Sequence, residues 1–441
     1  MCIITILQLH NLGMLKVEKS DQAIKPFGGI NFVIDDIKSK GIDRMIDNQL
    51  GSRSPQAQYS YSDTFTALWS VFYCGGDAIE DIQTHLNKQL IDIPKMKVMS
   101  ADTILRVLKE LKTEKVIYQN GAVTHEYNDN RNLNLLNIKI QKKLGLLKEN
   151  CYYDFDFDHQ FIPTDKYDSK TSYKKKDGYF PGNASINDMV VYIENRNGNS
   201  NVKYLQHETL TKAYDALKEE GIRINRSRAD AGSYCKEVVD VVEKYSRLFY
   251  IRAQKCGTMR EQIQAVTQWE EVEINDIKCE VSSVDYTPFG GKKTYRLVIQ
   301  RSKTNQGQGN LFTEDARVYR SILTNDMDSS EKAIIEFYNA RGTSEKIFDV
   351  MNNDFGWSKL PFSFMNENTV FLIVMAMCRA VYQWLIARYS KVFEELKPIY
   401  RLKKFIFRFI TVCTKWVKGQ GGMKLKVYDD RPYEKIATIP L

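Results

Sequence analysis

The stretch Tyr152-Tyr-Asp-Phe-Asp-Phe-Asp158 alternates aromatic and acidic residues with a period of two. That period marks a β-strand with two unlike faces, because successive side chains point to opposite sides of the backbone. Asp154, Asp156 and Asp158 then project from one face. Three carboxylates in a row repel one another and gain nothing from burial. Something must compensate them: solvent along an open edge, basic partners, or metal ions. An exposed edge strand whose charges block aggregation is the plainest of these readings, and the rest of the chain has to decide.

Downstream, a polar loop with Lys174-Lys-Lys176 leads to a strand at residues 189–194, a turn at Asn195-Arg-Asn-Gly-Asn199 and an amphipathic helix at 205–220 ended by Gly221. A strand at 222–228 follows, then a helix at 234–245 and a short strand at 248–252. Strands and helices in this order make a mixed α/β core with a partly parallel sheet. Active sites in such sheets gather where strands end. Asp158 closes the first strand, and Asp230, in Arg228-Ala-Asp-Ala-Gly232, lies at the end of a later one. A lone Asp after a strand usually caps a turn; two of them, with a third acid still to come, point to a site.

Residues 270–324 switch to β-type alternation and read as a β-rich insertion, with a polar loop at 303–310. Asp328-Ser-Ser330 then caps a helix carrying Ile334, Ile335, Phe337 and Tyr338. Tyr338, Arg341 and Glu345 follow at i, i+3 and i+7, one helical face if the helix runs on, with Gly342 as a point where it can kink. Taken alone, this is an Arg–Glu surface pair beside a packed Tyr. Together with Asp158 and Asp230 it has a chemical logic. Two divalent metals about 4 Å apart clamp the attacking and leaving oxygens of a phosphodiester, and hard cations of the magnesium type want carboxylate oxygens.

The flanks are less specific. Residues 31–148 read mainly as helices: Phe65, Leu68, Trp69 and Phe72 form an apolar stripe behind a Ser62-Asp63 cap. A helix from Ser100 carries Ile104, Leu108 and Leu111 on one face and Arg106, Lys109 and Lys112 on the other. This suits a helix-turn-helix DNA reader and equally any small helical bundle. The Asn-rich run 128–137 reads as a loop, 366–390 as a strongly apolar helix, 391–426 as basic and aromatic, and 419–441 as a loose tail. The expected boundaries are a helical DNA-binding part at 1–150, the catalytic core at 151–269 and 325–390, the insertion at 270–324 and a basic tail at 391–441.

A chain of 441 residues is too long for one compact core. Its balance of 63 Lys plus Arg against 55 Asp plus Glu gives +8, a mild pointer towards nucleic acid. The eight cysteines form no Cys-x-x-Cys, so neither a zinc site nor a disulfide framework is indicated. Residues 1–9 are apolar but lack the basic start of a secretory signal, and Met14 is an alternative start. The longest apolar run, 370–378, is interrupted at Arg379 and too short to span a bilayer.

Three blocks, Asp158-His-Gln160, Arg228-Ala-Asp-Ala-Gly-Ser-Tyr234 and Tyr338-x2-Arg341-x3-Glu345, resemble the signature blocks of insertion-sequence DDE transposases, specifically the branch with a Tyr-Arg-Glu-Lys signature. The runs Asp354-Phe-Gly-Trp-Ser-Lys-Leu-Pro-Phe362 and Glu18-Lys-Ser-Asp-Gln-Ala-Ile-Lys-Pro-Phe-Gly-Gly29 are similar to bacterial members of the family, so the resemblance spans about residues 16–389. It implies an α/β fold: an RNase H-like mixed sheet core with the β-rich insertion, preceded by an all-α amino-terminal domain. It implies metal-dependent cleavage of DNA at transposon ends and strand transfer into target DNA, with two magnesium or manganese ions on Asp158, Asp230 and Glu345. It places Tyr338 and Arg341 near the terminal DNA phosphates. A homodimer on paired ends of double-stranded DNA, in the cytoplasm at the nucleoid and without a membrane, completes the expectation. A hairpin intermediate with a flipped base held by an aromatic is also implied, for which Trp269 and Phe289 are candidates. Two positions depart from the family pattern: the signature lysine falls at Asn352, and Gln160 replaces a small hydroxyl residue. Asn352 leaves open a catalytically impaired copy that only binds the transposon end. Asp156 is the fallback acid if the strand register slips by two, and His159 reads as a surface neighbour of the site rather than a metal ligand.

Overall fold

Phe155 and Phe157 are 1% exposed, so the aromatic face of the opening strand is core and the acidic face must look elsewhere. In the computed structural model, which describes residues 17–254, 256–303 and 317–441, this stretch is an interior strand of an eleven-stranded sheet. The reading as an exposed edge strand is thereby corrected. The residues before 17 and the polar loop at 304–310 lie outside the described residues.

In chain order the strands are β1 (Val116–Asn120), β2 (Val123–Asp129), β3 (Tyr152–His159), β4 (Ile162–Pro163), β5 (Lys170–Thr171), β6 (Asp177–Tyr179), β7 (Gly182–Ile186), β8 (Met189–Arg196), β9 (Arg223–Ala229) and β10 (Ser246–Arg252). Then come β11 (Glu270–Ile274), β12 (Ile277–Tyr286), β13 (Tyr295–Lys303), β14 (Arg317–Thr324), β15 (Thr414–Gly419) and β16 (Gly422–Val427). The large sheet runs β1-β2-β8-β7-β3-β9-β10-β14-β13-β12-β11. Around β3 it is mixed as expected: β7 is antiparallel to β3, β9 is parallel to β3, and β10 is parallel to β9. This is the mixed α/β core. The β-rich stretch 270–324 extends the same sheet, because β14 pairs antiparallel with β10 from Tyr250↔Thr324 to Arg252↔Ile322.

The amino-terminal region is helical with one exception. Helices Ile30–Ser39, Ile42–Leu50, Tyr61–Tyr73, Ala101–Lys109 and Arg131–Lys143 are interrupted by the β1–β2 hairpin, which joins the large sheet through Tyr127↔Arg196, Asn128↔Asn195 and Asp129↔Glu194. β1 is exposed along its whole length, so it has no buried face to leave a period in the sequence. The helix Tyr61–Tyr73 is capped by Ser60 rather than Ser62. The Ser60 hydroxyl accepts from the Asp63 N–H, and the Asp63 carboxylate accepts from the Ser60 N–H at 3.0 Å. This is a capping box, which satisfies two donors at the helix start.

The Asn-rich stretch is not a loop. Asn130 caps the helix Arg131–Lys143, and Asn134, Asn137 and Gln141 are fully buried on one of its faces. β2 pairs with β8 only over residues 194–196. Upstream of that, side-chain amides stand in for a strand. Asn134 donates to the Ile193 carbonyl and accepts from its N–H, both at 2.9 Å, while Asn137 and Gln141 donate to the Val190 carbonyl at 2.8 and 2.9 Å. Buried backbone groups must be paired, and here the helix pairs them.

The helix Met365–Tyr389 is the axis of the second core. It is the one helix among the described residues long and apolar enough to cross a membrane, and 83% of its most apolar window is buried inside the protein. Trp69, Tyr73 and Trp357 donate to its Val374, Cys378 and Leu372 carbonyls at 3.1, 2.7 and 3.1 Å. The amino-terminal helices therefore share a core with residues 347–439. The expected loose tail is docked as well. β15 and β16 form a hairpin, Tyr433 and Ile436 are buried, and Arg388, paired with Asp36 at 2.8 Å, donates to the Ile439 carbonyl at 2.7 Å. The Phe27-Gly-Gly29 lead-in belongs to the same clasp. Gly28 and Gly29 donate to the Val412 and Ile410 carbonyls, and a Cβ on Gly29 would lie 2.3 Å from the Phe409 carbonyl oxygen.

Candidate active site

The three acids of β3 find three arginines. Parallel pairing with β9 sets Asp154 beside Arg226 and Asp156 beside Arg228. Arg226 grips Asp154 with two bonds of 2.8 and 2.5 Å, and Arg228 grips Asp156 with two of 2.6 Å. The Arg-x-Arg of β9 is the mirror of the Asp-x-Asp of β3, a signal present in the sequence but not read from it. Phe337 lies over both guanidinium groups, at 3.7 and 4.5 Å, and its carbonyl accepts from Arg228 at 2.6 Å. This pins the helix Glu331–Asn339 across the acidic face. Asp156, the fallback acid, is committed to Arg228 in a pair with side chains 11% and 9% exposed. Its pKa is raised by burial, against the pull of Arg228.

Asp158 sits where that ladder ends. The register stops at Phe157↔Ala229, and the next residue on the β9 side is Asp230, a like charge. The partner of Asp158 comes from elsewhere: Arg341, in a 3-10 turn at Ala340–Gly342, with its guanidinium 3.0 Å from the carboxylate. Burial pushes the Asp158 carboxyl up to about 6; Arg341 opposes this, and neighbouring Asp230 adds to it. Asp158 also accepts the His159 N–H at 2.9 Å. Asp230 accepts the Gly232 N–H at 2.9 Å and so caps the short turn Ala231–Ser233. Two carboxylates thus end adjacent parallel strands, about 4.8 Å apart at the backbone, and the charge of Arg341 acts on both.

The third block behaves differently. The helix Glu331–Asn339 stops, the 3-10 turn intervenes, and a new helix, Thr343–Asp354, begins. The break means that Tyr338, Arg341 and Glu345 do not lie on one continuous helix, although the Arg341 guanidinium is 5.9 Å from the Tyr338 ring centre. Glu345 is exposed in the first turn of the new helix, and no group of three His, Cys, Asp or Glu side chains able to hold a metal gathers among the described residues. Tyr338 is 5% exposed; its hydroxyl donates to the Ala229 carbonyl at 3.2 Å, and the Arg252 guanidinium stacks 4.5 Å from its ring centre. It braces the end of β9 from inside. Asn352 is half-buried, with a side-chain oxygen that has no partner. His159 is half-buried beside the site, edge-on to Phe157 at 5.0 Å, and burial holds its pKa well below the usual value. Of the aromatic candidates, Trp269 is covered by Arg301 at 3.7 Å, whereas Phe289, at a turn with φ +62°, is 38% exposed and meets Tyr234 at 4.8 Å.

Asp158 and Asp230 are a hard, all-oxygen donor pair whose like charges a cation would relieve, and their chemistry fits magnesium or manganese.

The family profile described as "Transposase DDE domain group 1" matches residues 23–439. The chain belongs to the DDE transposases. The match takes in the Gly28-Gly29 clasp and the docked carboxyl end along with the sheet, so these parts are integral to the transposase domain. No curated protein matches the chain. Among solved structures, one that is similar is the "Cryo-EM structure of piggyBac transposase synaptic complex with hairpin DNA (SNHP)", at 9% identity and a TM-score of 0.43, over 88% of this transposase and 80% of that chain.

Proposed function

We propose that this transposase cuts DNA at the ends of a mobile element and joins the freed ends to target DNA, with Asp158, Asp230 and Glu345 as its catalytic acids. The observation that carries this reading is the pairing of Asp158 and Asp230 at the ends of adjacent parallel strands, outside the arginine ladder that neutralises Asp154 and Asp156. Two magnesium or manganese ions bound there would stabilise charge on the attacking and leaving oxygens of the phosphodiester. The chain's own residues do the rest. Asp158 and Asp230 present carboxylate oxygens from a rigid sheet. Arg341 exchanges Asp158 for a DNA phosphate, which its planar fork can bind at two oxygens. Tyr338 fixes the end of β9 and so the position of Asp230. The turn at 340–342 reorients to bring Glu345 towards the pair. Double-stranded DNA, as element ends and as target, is the substrate, and a homodimer would hold two ends together in the cytoplasm.

Glu345→Gln tests the assignment: it should abolish cleavage of a labelled duplex carrying the element's terminal repeats and leave binding of that duplex intact. Retained cleavage would remove Glu345 from the site. A second reading, a copy that binds ends without cutting them, is favoured by Asn352 in place of the signature lysine. Restoration of cleavage by Asn352→Lys in an otherwise silent chain would support it.

A further inference from the structure

We propose that the lysine-rich hairpin between β5 and β6, with Phe161, Tyr173 and Phe180, is a platform for an unpaired DNA strand next to Asp158. The proposal rests on the DNA-cutting reading above and adds a surface and a state of the substrate to it.

The hairpin begins where the catalytic strand ends. Phe161 is three residues beyond Asp158, at most about 11 Å along the chain. Gln160 donates to the Pro181 carbonyl at 3.0 Å, closing the base of the excursion 160–181, and β4, β6 and β5 form a small sheet within it. At the tip, Ser172 and Lys176 pair through backbone and side chain, and Lys175 has φ +57°. A left-handed lysine is an uncommon conformation for a residue with a side chain. Here it turns the chain so that Lys174, Lys175 and Lys176 all stand at the apex.

The charges are uncommitted and the rings are arranged. This loop holds Lys166, Lys170, Lys174, Lys175 and Lys176 against Asp165, Asp168 and Asp177. Asp168 is bound by Lys115 at 3.1 Å and Asp177 by the Thr171 hydroxyl at 2.5 Å. None of the five lysines has a carboxylate partner among the described residues, in contrast to Lys115, Lys139 and Lys142 in the helical region. Lys174 lies 5.5, 5.8 and 6.0 Å from the ring centres of Phe161, Tyr173 and Phe180. Ring contacts run without a gap from the strand to the tip: Phe157 to His159 at 5.0 Å, His159 to Phe180 at 6.1 Å, Phe180 to Tyr173 at 5.9 Å. Tyr173 ends this series 77% exposed.

Phosphates alone would be served by the lysines. A ring held by its neighbours yet open on its outer face has a use where a base is unstacked, because base–aromatic stacking needs a free base face. Inside a duplex both faces of every base are covered by its stacked neighbours. Strand breakage beside Asp158 leaves a new strand end at this spot, and the platform would hold its bases once they unpair.

The test is fluorescence anisotropy on the full chain with two labelled probes, an oligothymidylate of about twelve nucleotides and a blunt duplex of the same length. Tyr173→Ala should weaken the single strand roughly tenfold and leave the duplex within twofold, with Tyr173→Phe restoring binding. Lys175→Gln combined with Lys176→Gln should lower the salt slope for the single strand by about 1.4. Equal loss on both probes, or loss on neither, would overturn the proposal. Tyr173 is exposed, so an unchanged melting temperature confirms that the variant is folded. Asp230→Ala separates the two readings. A wild-type chain that cuts nothing but binds the strand through Tyr173 defeats the nuclease reading and keeps the platform; a chain that cuts, loses cutting in Asp230→Ala and ignores Tyr173 does the reverse.

Discussion

Asp154 and Asp156 are held by Arg226 and Arg228, residues of the neighbouring parallel strand whose places are fixed by backbone register. Asp158, on the same face of the same strand, is held by Arg341, which arrives from a short turn between two helices. A sheet arginine is kept opposite its acid by the backbone register, and Phe337 lies over both guanidinium groups. A turn arginine can be drawn off by a phosphate at the cost of rotating a few backbone bonds. The same residue type at the same period therefore serves two ends: stability where the adjacent strand supplies a matching charge, and chemistry where that strand supplies a second acid instead.

The comparison can be broken first at Asp156. Asp156→Ala strands the buried Arg228 and should cost about 3–5 kcal/mol in denaturant unfolding. Asp154→Ala, whose pair has side chains 33% and 35% exposed, should cost no more than about 1 kcal/mol. Similar costs at the two positions would mean that the ladder is not graded by burial. Asn134→Ala extends the logic to a register enforced by side chains rather than by a strand. It unpairs the N–H and carbonyl of Ile193 and should destabilise by about 1–3 kcal/mol, with faster amide hydrogen exchange at Ile193 as its local mark. The smallest effect on stability is expected at exposed Glu345. Glu345→Gln should leave the unfolding free energy within about 0.5 kcal/mol of the parent while cleavage is lost; a large change in stability would show that Glu345 is part of the packing.

The sheet was legible where one face is buried and the other is not. Phe155 and Phe157 set the period of β3, and the two acids at strand ends followed from it. A single helical face for Tyr338, Arg341 and Glu345 requires a continuous helix, and the helix stops at Asn339, short of the possible kink at Gly342. By composition the Asn run reads as a loop. Its spacing, Asn130, Asn134, Asn137 and Gln141, is helical, and the amides are buried because they complete the edge of β8. The carboxyl end reads as a loose tail because its anchors are single residues far apart in the chain: Arg388 with Asp36, and Gly29 against Phe409. No local pattern encodes such contacts. The arginine ladder could have been found, since Arg226-x-Arg228 repeats the spacing of Asp154-x-Asp156.

The most direct test of the central claim, that Asp158 alone of the three strand acids belongs to the chemistry, is cleavage of a labelled terminal-repeat duplex with magnesium or manganese by the parent chain, Asp158→Asn and Asp154→Asn. The expected result is cleavage by the parent and by Asp154→Asn, and none by a folded Asp158→Asn. Cleavage retained in Asp158→Asn, or lost equally in a folded Asp154→Asn, would contradict the account.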